Sequence, residues 1–207
     1  MRLPDRIYVT GTDTDVGKTV ASAALCAAFG YRYWKPVQAG LDGETDTQVV
    51  ARLSGVETFP EAFCLRRPAS PHAAAADEGV VIDPSALRPP EGRLLVEGAG
   101  GWCVPYHDEP LRWQAGLVRH LGLPVVVVAR TGLGTLNHTF LTLRAIRADG
   151  VPVAGVLFVG DPHPENERDV ARWGGAPVLG RLPRVADPDR DFPALVAALH
   201  TDNGAPR

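Results

Sequence analysis

A chain of 207 residues with 45% hydrophobic and 22% charged residues has ordinary globular composition and length for one domain with a full-sized core. Its net charge of −3 argues against a nucleic-acid partner gripped mainly through phosphates, and its longest apolar run, Val125 to Ala129, is far too short to cross a bilayer. The first residues run almost at once into a strand pattern, leaving no room for a signal peptide. Cys26, Cys64 and Cys103 are odd in number and lack metal-ligand spacing. Unpaired thiols in a reducing cytosol, hence a cytoplasmic protein, are the expectation.

In chain order, the β-branched stretch Arg6–Thr10 predicts the first strand and the alanine-rich Lys18–Phe29 the first helix. Between them lies Gly11-Thr12-Asp13-Thr14-Asp15-Val16-Gly17-Lys18-Thr19. Strand, glycine-edged loop and helix together make a phosphate-binding loop. Its amides and the helix N-terminus hold phosphate oxygens, Lys18 adds a point charge, and the Thr19 hydroxyl suits Mg2+. The loop has one residue more between its glycines than the common pattern. It also carries two carboxylates, Asp13 and Asp15, which are costly beside polyphosphate unless they meet a metal or a cationic substrate. The competing reading is a chance Gly-Lys-Thr in a surface turn. Thr14 could offer its hydroxyl to substrate or phosphate, or make a local turn bond.

The second strand is expected at Tyr31–Lys35, aiming Lys35 at the ligand crevice beyond the strand end. A second ammonium near Lys18 would offset charge on a transferring phosphoryl group, although a solvated lysine is the bland alternative. A helix follows at Thr45–Leu53, where Thr45 or Asp46 could cap the first turn and Asp46 could serve a metal. Proline-rich Arg66–Pro90 breaks the alternation, an excursion near the site with one helical turn or two. The apolar strand Arg93–Glu97 ends on a carboxylate placed like the Mg2+-serving acid of phosphate-loop enzymes, followed by Gly98-Ala99-Gly100-Gly101.

Further elements are helix Leu111–Leu121, strand Pro124–Ala129, helix Thr135–Ala148, strand Val153–Val159, helix Pro164–Trp173, a short strand Pro177–Leu179 and helix Phe192–Leu199, then a frayed tail after His200. Asn137 stands near a helix start, where capping competes with anion binding. Asp187, Asp189 and Asp191 alternate like a calcium loop but lack its Gly and distal Glu, so a solvated acidic turn is expected. His107, His120, His163 and His200 show no paired ligand spacing, and Trp34, Trp102, Trp113 and Trp173 suit core or pocket walls. No acyl-transfer signature is present. The alternation predicts an α/β domain spanning residues 1–207: a mostly parallel twisted sheet with helices on both faces, of the phosphate-loop NTPase kind.

The extended acidic loop, Lys35-Pro36-Val37, Ser70-Pro71-His72, Val96-Glu97-Gly98-Ala99-Gly100-Gly101 and Leu133-Gly134-Thr135-Leu136-Asn137-His138 together resemble the dethiobiotin synthetase family. The five motifs occur in the family's order and span most of the chain. The resemblance implies a homodimer that uses Mg2+ and ATP, or another triphosphate. CO2 and 7,8-diaminopelargonate form a carbamate, which attacks the γ-phosphate; the second amine then closes a ureido ring and expels phosphate. By position, Thr19, Asp46 and Glu97 would bind Mg2+. Lys18, Lys35 and Thr14 would serve the reacting groups. Asp15, Val16, Gly17, Val20, Gly98, Ala99, Gly100, Val159, Gly160, Leu182 and Pro183 would complete the nucleotide site. Thr14, Lys35, Ala39, Gly100 and Asn137 would meet substrate, Asn137 across the dimer interface.

Three departures stand out. Ala39 replaces a usual Ser or Thr, Val159-Gly160 replaces an Asn-Asp pair that reads adenine, and the segment between the first helix and Lys35 is short. The alternatives are a dimeric switch ATPase controlling a protein partner, although position 12 is Thr where that class usually has an additional lysine, and, more weakly, a small-molecule kinase, for which neither base nor lid is evident.

Overall fold

A computed structural model describes residues 3–107 and 114–201. The expected start of a helix at 111–113, Trp113 included, and the tail at 202–207 lie outside the described residues.

Seven strands form one sheet in the order β4-β2-β6-β1-β7-β8-β9, and every pairing is parallel. These are β1 (Arg6–Gly11), β2 (Arg32–Trp34), β4 (Thr58–Phe59), β6 (Leu94–Gly101), β7 (Val125–Arg130), β8 (Val153–Val159) and β9 (Val178–Leu182). The helices are α1 (Lys18–Phe29), α2 (Asp46–Ser54), α3 (Pro71–Asp77), α4 (Gln114–Leu121), α5 (Thr135–Ala148), α6 (Pro164–Trp173) and α7 (Pro188–Thr201). Strands β3 (Val37–Ala39) and β5 (Phe63–Leu65) pair separately.

Period-two geometry divides the continuous apolar strands between two cores. Ile7, Val9, Leu95, Val126 and Val128 pack with α1, Val50 of α2, and Leu195 and Leu199 of α7. Tyr8, Leu94, Val96, Val125 and Val127 pack on the other face with Leu117, Leu143, Ile146 and Val170 from α4, α5 and α6. Each such side chain contributes roughly 1.5–3 kcal/mol by leaving water, which fixes β1 centrally between β6 and β7.

Several boundaries differ from expectation. β2 stops at Trp34, so Lys35 lies just beyond it. β6 does not end at Glu97 but continues to Gly101. Its register with β1 passes from Val9↔Glu97 to Gly11↔Gly101, leaving extra residues in β6 to bulge. β3, β4 and β5 had no sequence signal, because two or three residues are too few to display a period. The excursion folds as α3 plus one 3-10 turn, Pro84–Ala86, over a small core of Val37, Leu65, Ala74, Ala75, Ile82 and Tyr106. α7 begins at Pro188, where the Asp187 carboxylate accepts the Arg190 N–H at 3.2 Å; the acidic turn is a helix start.

Candidate functional site

The loop after β1 is shaped by two left-handed residues. Asp15 has φ +55° and Gly17, the N-cap of α1, has φ +93°. That conformation suits glycine and explains Gly17 directly. Arg130, at the end of β7, donates to the Thr14 and Asp15 carbonyls at 3.3 and 3.4 Å and braces the loop from outside. Lys18 is 8% exposed, its Nζ donating to the Asp13 carbonyl at 3.1 Å. Burial lowers its pKa, and Glu97 opposes that shift.

Thr19 Oγ1 donates to Asp46 Oδ1 at 2.5 Å and lies 3.3 Å from Glu97 Oε1. Lys35, 4% exposed, sits 2.5 Å from Asp46 Oδ2 and 3.4 Å from Glu97 Oε1. Burial opposes the Lys35 charge, but Glu97 and Asp46 outweigh it and hold the ammonium above its ordinary pKa. Burial likewise pushes Asp46 up, but Lys35 and the Thr19 hydroxyl overcome it and hold the carboxyl below its usual range. Glu97, at 1% exposure, also accepts from the Tyr33 hydroxyl at 3.0 Å.

The helix cap that competed for Asp46 is supplied by Thr45. Its hydroxyl accepts from Gln48 N at 3.3 Å while Gln48 Oε1 accepts from Thr45 N at 2.8 Å. Asp46 therefore turns its carboxylate to the site. One hydroxyl and two carboxylates, crowded against an ammonium, are the hard oxygen donors Mg2+ takes alongside waters and phosphates. No cluster of three or more His, Cys, Asp or Glu that could hold a metal ion occurs among the described residues.

These groups face a cavity of about 850 Å³. Of the residues expected from sequence, Thr14, Asp15, Gly17, Lys18, Thr19, Val20, Lys35, Ala39, Asp46, Glu97, Ala99 and Gly100 line it. Others lie elsewhere. Val16 is buried beneath the loop, and Gly98 backs onto Tyr8 and Gln114. Val159, Gly160 and Leu182 gather where β8 and β9 end, Gly160 N donating to Leu182 O at 3.0 Å, with Pro183 next in the chain. They flank the loop: a Cβ on Gly17 would stand 3.1 Å from Val159 Cγ1.

Two expectations need correction. Asn137 does not cap α5; Gly134 is its N-cap, without a side-chain bond, and Asn137 is exposed in the first turn, outside the cavity. Asp13 does not face the cavity either, its carboxylate accepting from Thr14 N at 2.7 Å.

Sequence reasoning missed Gln38, Tyr33 and Arg130. Gln38 lines the cavity and accepts from Asp46 N at 3.4 Å. Its place directly after Lys35-Pro36-Val37 was the available signal. The wall Pro68–Pro71 comes from the excursion. Cys26 is buried, Cys64 and Cys103 are exposed, and all three are unpaired thiols pushed up in pKa chiefly by burial, the reverse of an activated nucleophile.

A family described as an AAA domain matches residues 5–191. A protein of Sphingopyxis alaskensis named ATP-dependent dethiobiotin synthetase BioD is 51% identical over 187 residues, covering 87% of this chain and 89% of the relative. One of the same name from Rhizorhabdus wittichii is 49% identical over 207 residues, covering 97% and 98%. Among solved structures, chloroplast FtsY from Physcomitrella patens superposes with TM-score 0.56 at 18% identity, covering 96% of this chain and 66% of that one. A ParA family ATPase from Chlorobium tepidum gives 0.55 at 10% identity, covering 98% and 95%. The structural likenesses show the phosphate-loop fold alone.

Proposed function

Since the chain belongs to the ATP-dependent dethiobiotin synthetases, ligases that form dethiobiotin in biotin biosynthesis, we propose that the 850 Å³ cavity is where a carbamate of 7,8-diaminopelargonate meets the terminal phosphate of ATP. The observation that carries this reading is the pair of buried ammoniums, Lys18 and Lys35, on one cavity wall with Thr19, Asp46 and Glu97.

Loop amides and Lys18 hold the β- and γ-phosphates at the N-terminus of α1. Mg2+ held by Thr19, Asp46 and Glu97 would neutralise phosphate charge. Lys35 and Thr14 orient the carbamate made from one amine and CO2. A carbamate oxygen bonds to the γ-phosphorus as the bond to ADP breaks, giving a mixed anhydride. The second amine then attacks the carbonyl carbon, loses a proton and expels phosphate. Asp15, on the cavity wall, offers the diamine a carboxylate, Ala39 and Gly100 shape its pocket, and Asn137 reaches a neighbouring protomer's substrate in a homodimer. Unpaired thiols support a cytoplasmic setting.

The base-side residues Val159, Gly160, Leu182 and Pro183 carry no side-chain amide, which supports tolerance of triphosphates other than ATP. A switch ATPase reading is not favoured, because the relatives near half identity are named as ligases while the ParA-like resemblance is one of fold.

The test is incorporation of labelled CO2 into an acid-stable cyclic urea, with diamine, Mg2+ and several triphosphates in parallel. Product is expected only when all components are present. Triphosphate hydrolysis indifferent to diamine and CO2 would reject the proposal.

A further inference from the structure

Behind the cavity wall lies a buried polar cluster that takes no part in the chemistry described above. Gln114, the first residue of α4, is fully buried. Its Nε2 donates to the carbonyls of Ala99 and Gly101, each at 2.5 Å, and its Oε1 accepts from the Tyr8 hydroxyl at 2.7 Å. The Tyr106 hydroxyl, also buried, accepts from Ala99 N at 3.2 Å. The peptide that precedes Gly100, and those before Ala99 and after Gly101, are thus held by side chains from α4 and from the loop after β6.

The grip is close. A Cβ on Gly98 would stand 2.1 Å from Gln114 Oε1 and 2.3 Å from the Tyr8 hydroxyl, so this backbone rests directly on the pair. Gly100 is left-handed at φ +64°, and a Cβ there would meet Val104 at 2.9 Å and Thr14 Oγ1 at 3.6 Å. The segment needs such support. Beyond Glu97 it has no side chain larger than a methyl to pack, and its register with β1 slips there. Unfastened, four residues of Gly-Ala-Gly-Gly would sample many conformations.

We propose that Gln114 is a positioning residue for the diamine side of the reaction: it fastens the Ala99 and Gly101 carbonyls and thereby sets the Gly100 wall against which the substrate lies. This rests on the reading of Gly100 as a substrate-side residue. Gln114 does not itself line the cavity.

The test is Gln114→Met, which keeps volume but removes both donors, together with Gly100→Ala as a check on the underlying reading. Steady-state KM is measured separately for diamine and for ATP. In Gln114→Met, the diamine KM is expected to rise about tenfold and the ATP KM by a clearly smaller factor, because Gly98–Gly100 only edge the nucleotide site while Lys18, Thr19 and the α1 N-terminus hold the phosphates. Unchanged KM values, with only kcat lowered by a smaller folded fraction, would overturn the proposal. So would an equal rise in both. If Gln114→Met does not fold, Tyr106→Phe releases the same segment from its other anchor and carries the same outcomes. If Gly100→Ala leaves the diamine KM unaltered, the reading of Gly100 falls and takes the proposal with it. If Gly100→Ala raises it and Gln114→Met does not, the role of Gln114 alone is rejected.

Discussion

The Lys35 ammonium sits 2.5 Å from one oxygen of Asp46, while the other oxygen of Asp46 takes the Thr19 hydroxyl at the same distance. One carboxylate is thus shared between a group assigned to the reacting phosphoryl and a group assigned to the metal. Lys35 supplies positive charge to buried Glu97 and to partly exposed Asp46. The site is therefore organised around cations before any ligand arrives.

Removing that charge exposes the arrangement. Lys35→Met leaves Asp46 and Glu97 facing each other, at a cost of up to about 3 kcal/mol, the low end for a buried pair because Asp46 is partly exposed. Mg2+ is expected to raise the Tm of this variant more than that of the parent, since a bound cation replaces the lost one. Thermal melts across a Mg2+ series check this. Equal shifts in both proteins would show that Lys35 and the metal do not share a seat.

Activity should respond more sharply than stability. Lys18→Ala and Lys35→Ala each remove an ammonium from the cavity wall. Turnover is expected to fall by orders of magnitude in both, with near-UV circular dichroism unchanged, because charge stabilisation of phosphoryl transfer is lost. A variant with near-normal kcat would lose its assigned role.

The pH dependence of folding follows from the same cluster. Asp46 has a depressed folded pKa, so its contribution is present above its unfolded value of about 3.9 and is lost as pH falls through the folded one. Lys35 has a raised folded pKa, so its contribution is full below its unfolded value of about 10.4 and is lost as pH rises through the folded one. Tm contributed by this pair should be level through neutral pH. Asp46→Asn should flatten the loss below about pH 4, as measured by melts from pH 3 to 9. An unaltered acid limb in Asp46→Asn would contradict the assignment.

Much of this site was legible because strand, loop and helix signals coincide at residues 6–29, because Lys35 follows β2 and Asp46 opens α2, and because Glu97 closes the apolar half of β6. What was not legible has physical causes. Gly98–Gly101 has too little side chain to show that β6 continues, and its pairing depends on β1 and on Gln114 from a distant element. β3 and β5 are three residues each and form through the core beneath α3. The choice between Thr45 and Asp46 as cap is settled by the Thr45–Gln48 capping box, a local signal, whereas the claim of buried Lys35 on the Asp46 carboxylate is a tertiary fact. Asn137 looked like a cap because asparagine caps helices, but the left-handed Gly134 ends the preceding turn first.

Thr45 connects local folding to the proposed metal seat. Its capping box fixes the first turn of α2, from which Asp46 projects toward Thr19 and Lys35. Thr45→Ala removes the hydroxyl that accepts from Gln48 N, leaving the Thr45 N to Gln48 Oε1 bond, and should cost about 1 kcal/mol of stability. It should also free Asp46 to rotate toward solvent and weaken Mg2+ retention several-fold, since the carboxylate would no longer be held ready. Thr45→Ser restores the hydroxyl and is expected to recover both properties. Denaturant melts and Mn2+ titration followed by electron paramagnetic resonance separate the two effects. A Thr45→Ala protein that loses stability but binds Mn2+ like the parent would show that the cap serves α2 alone.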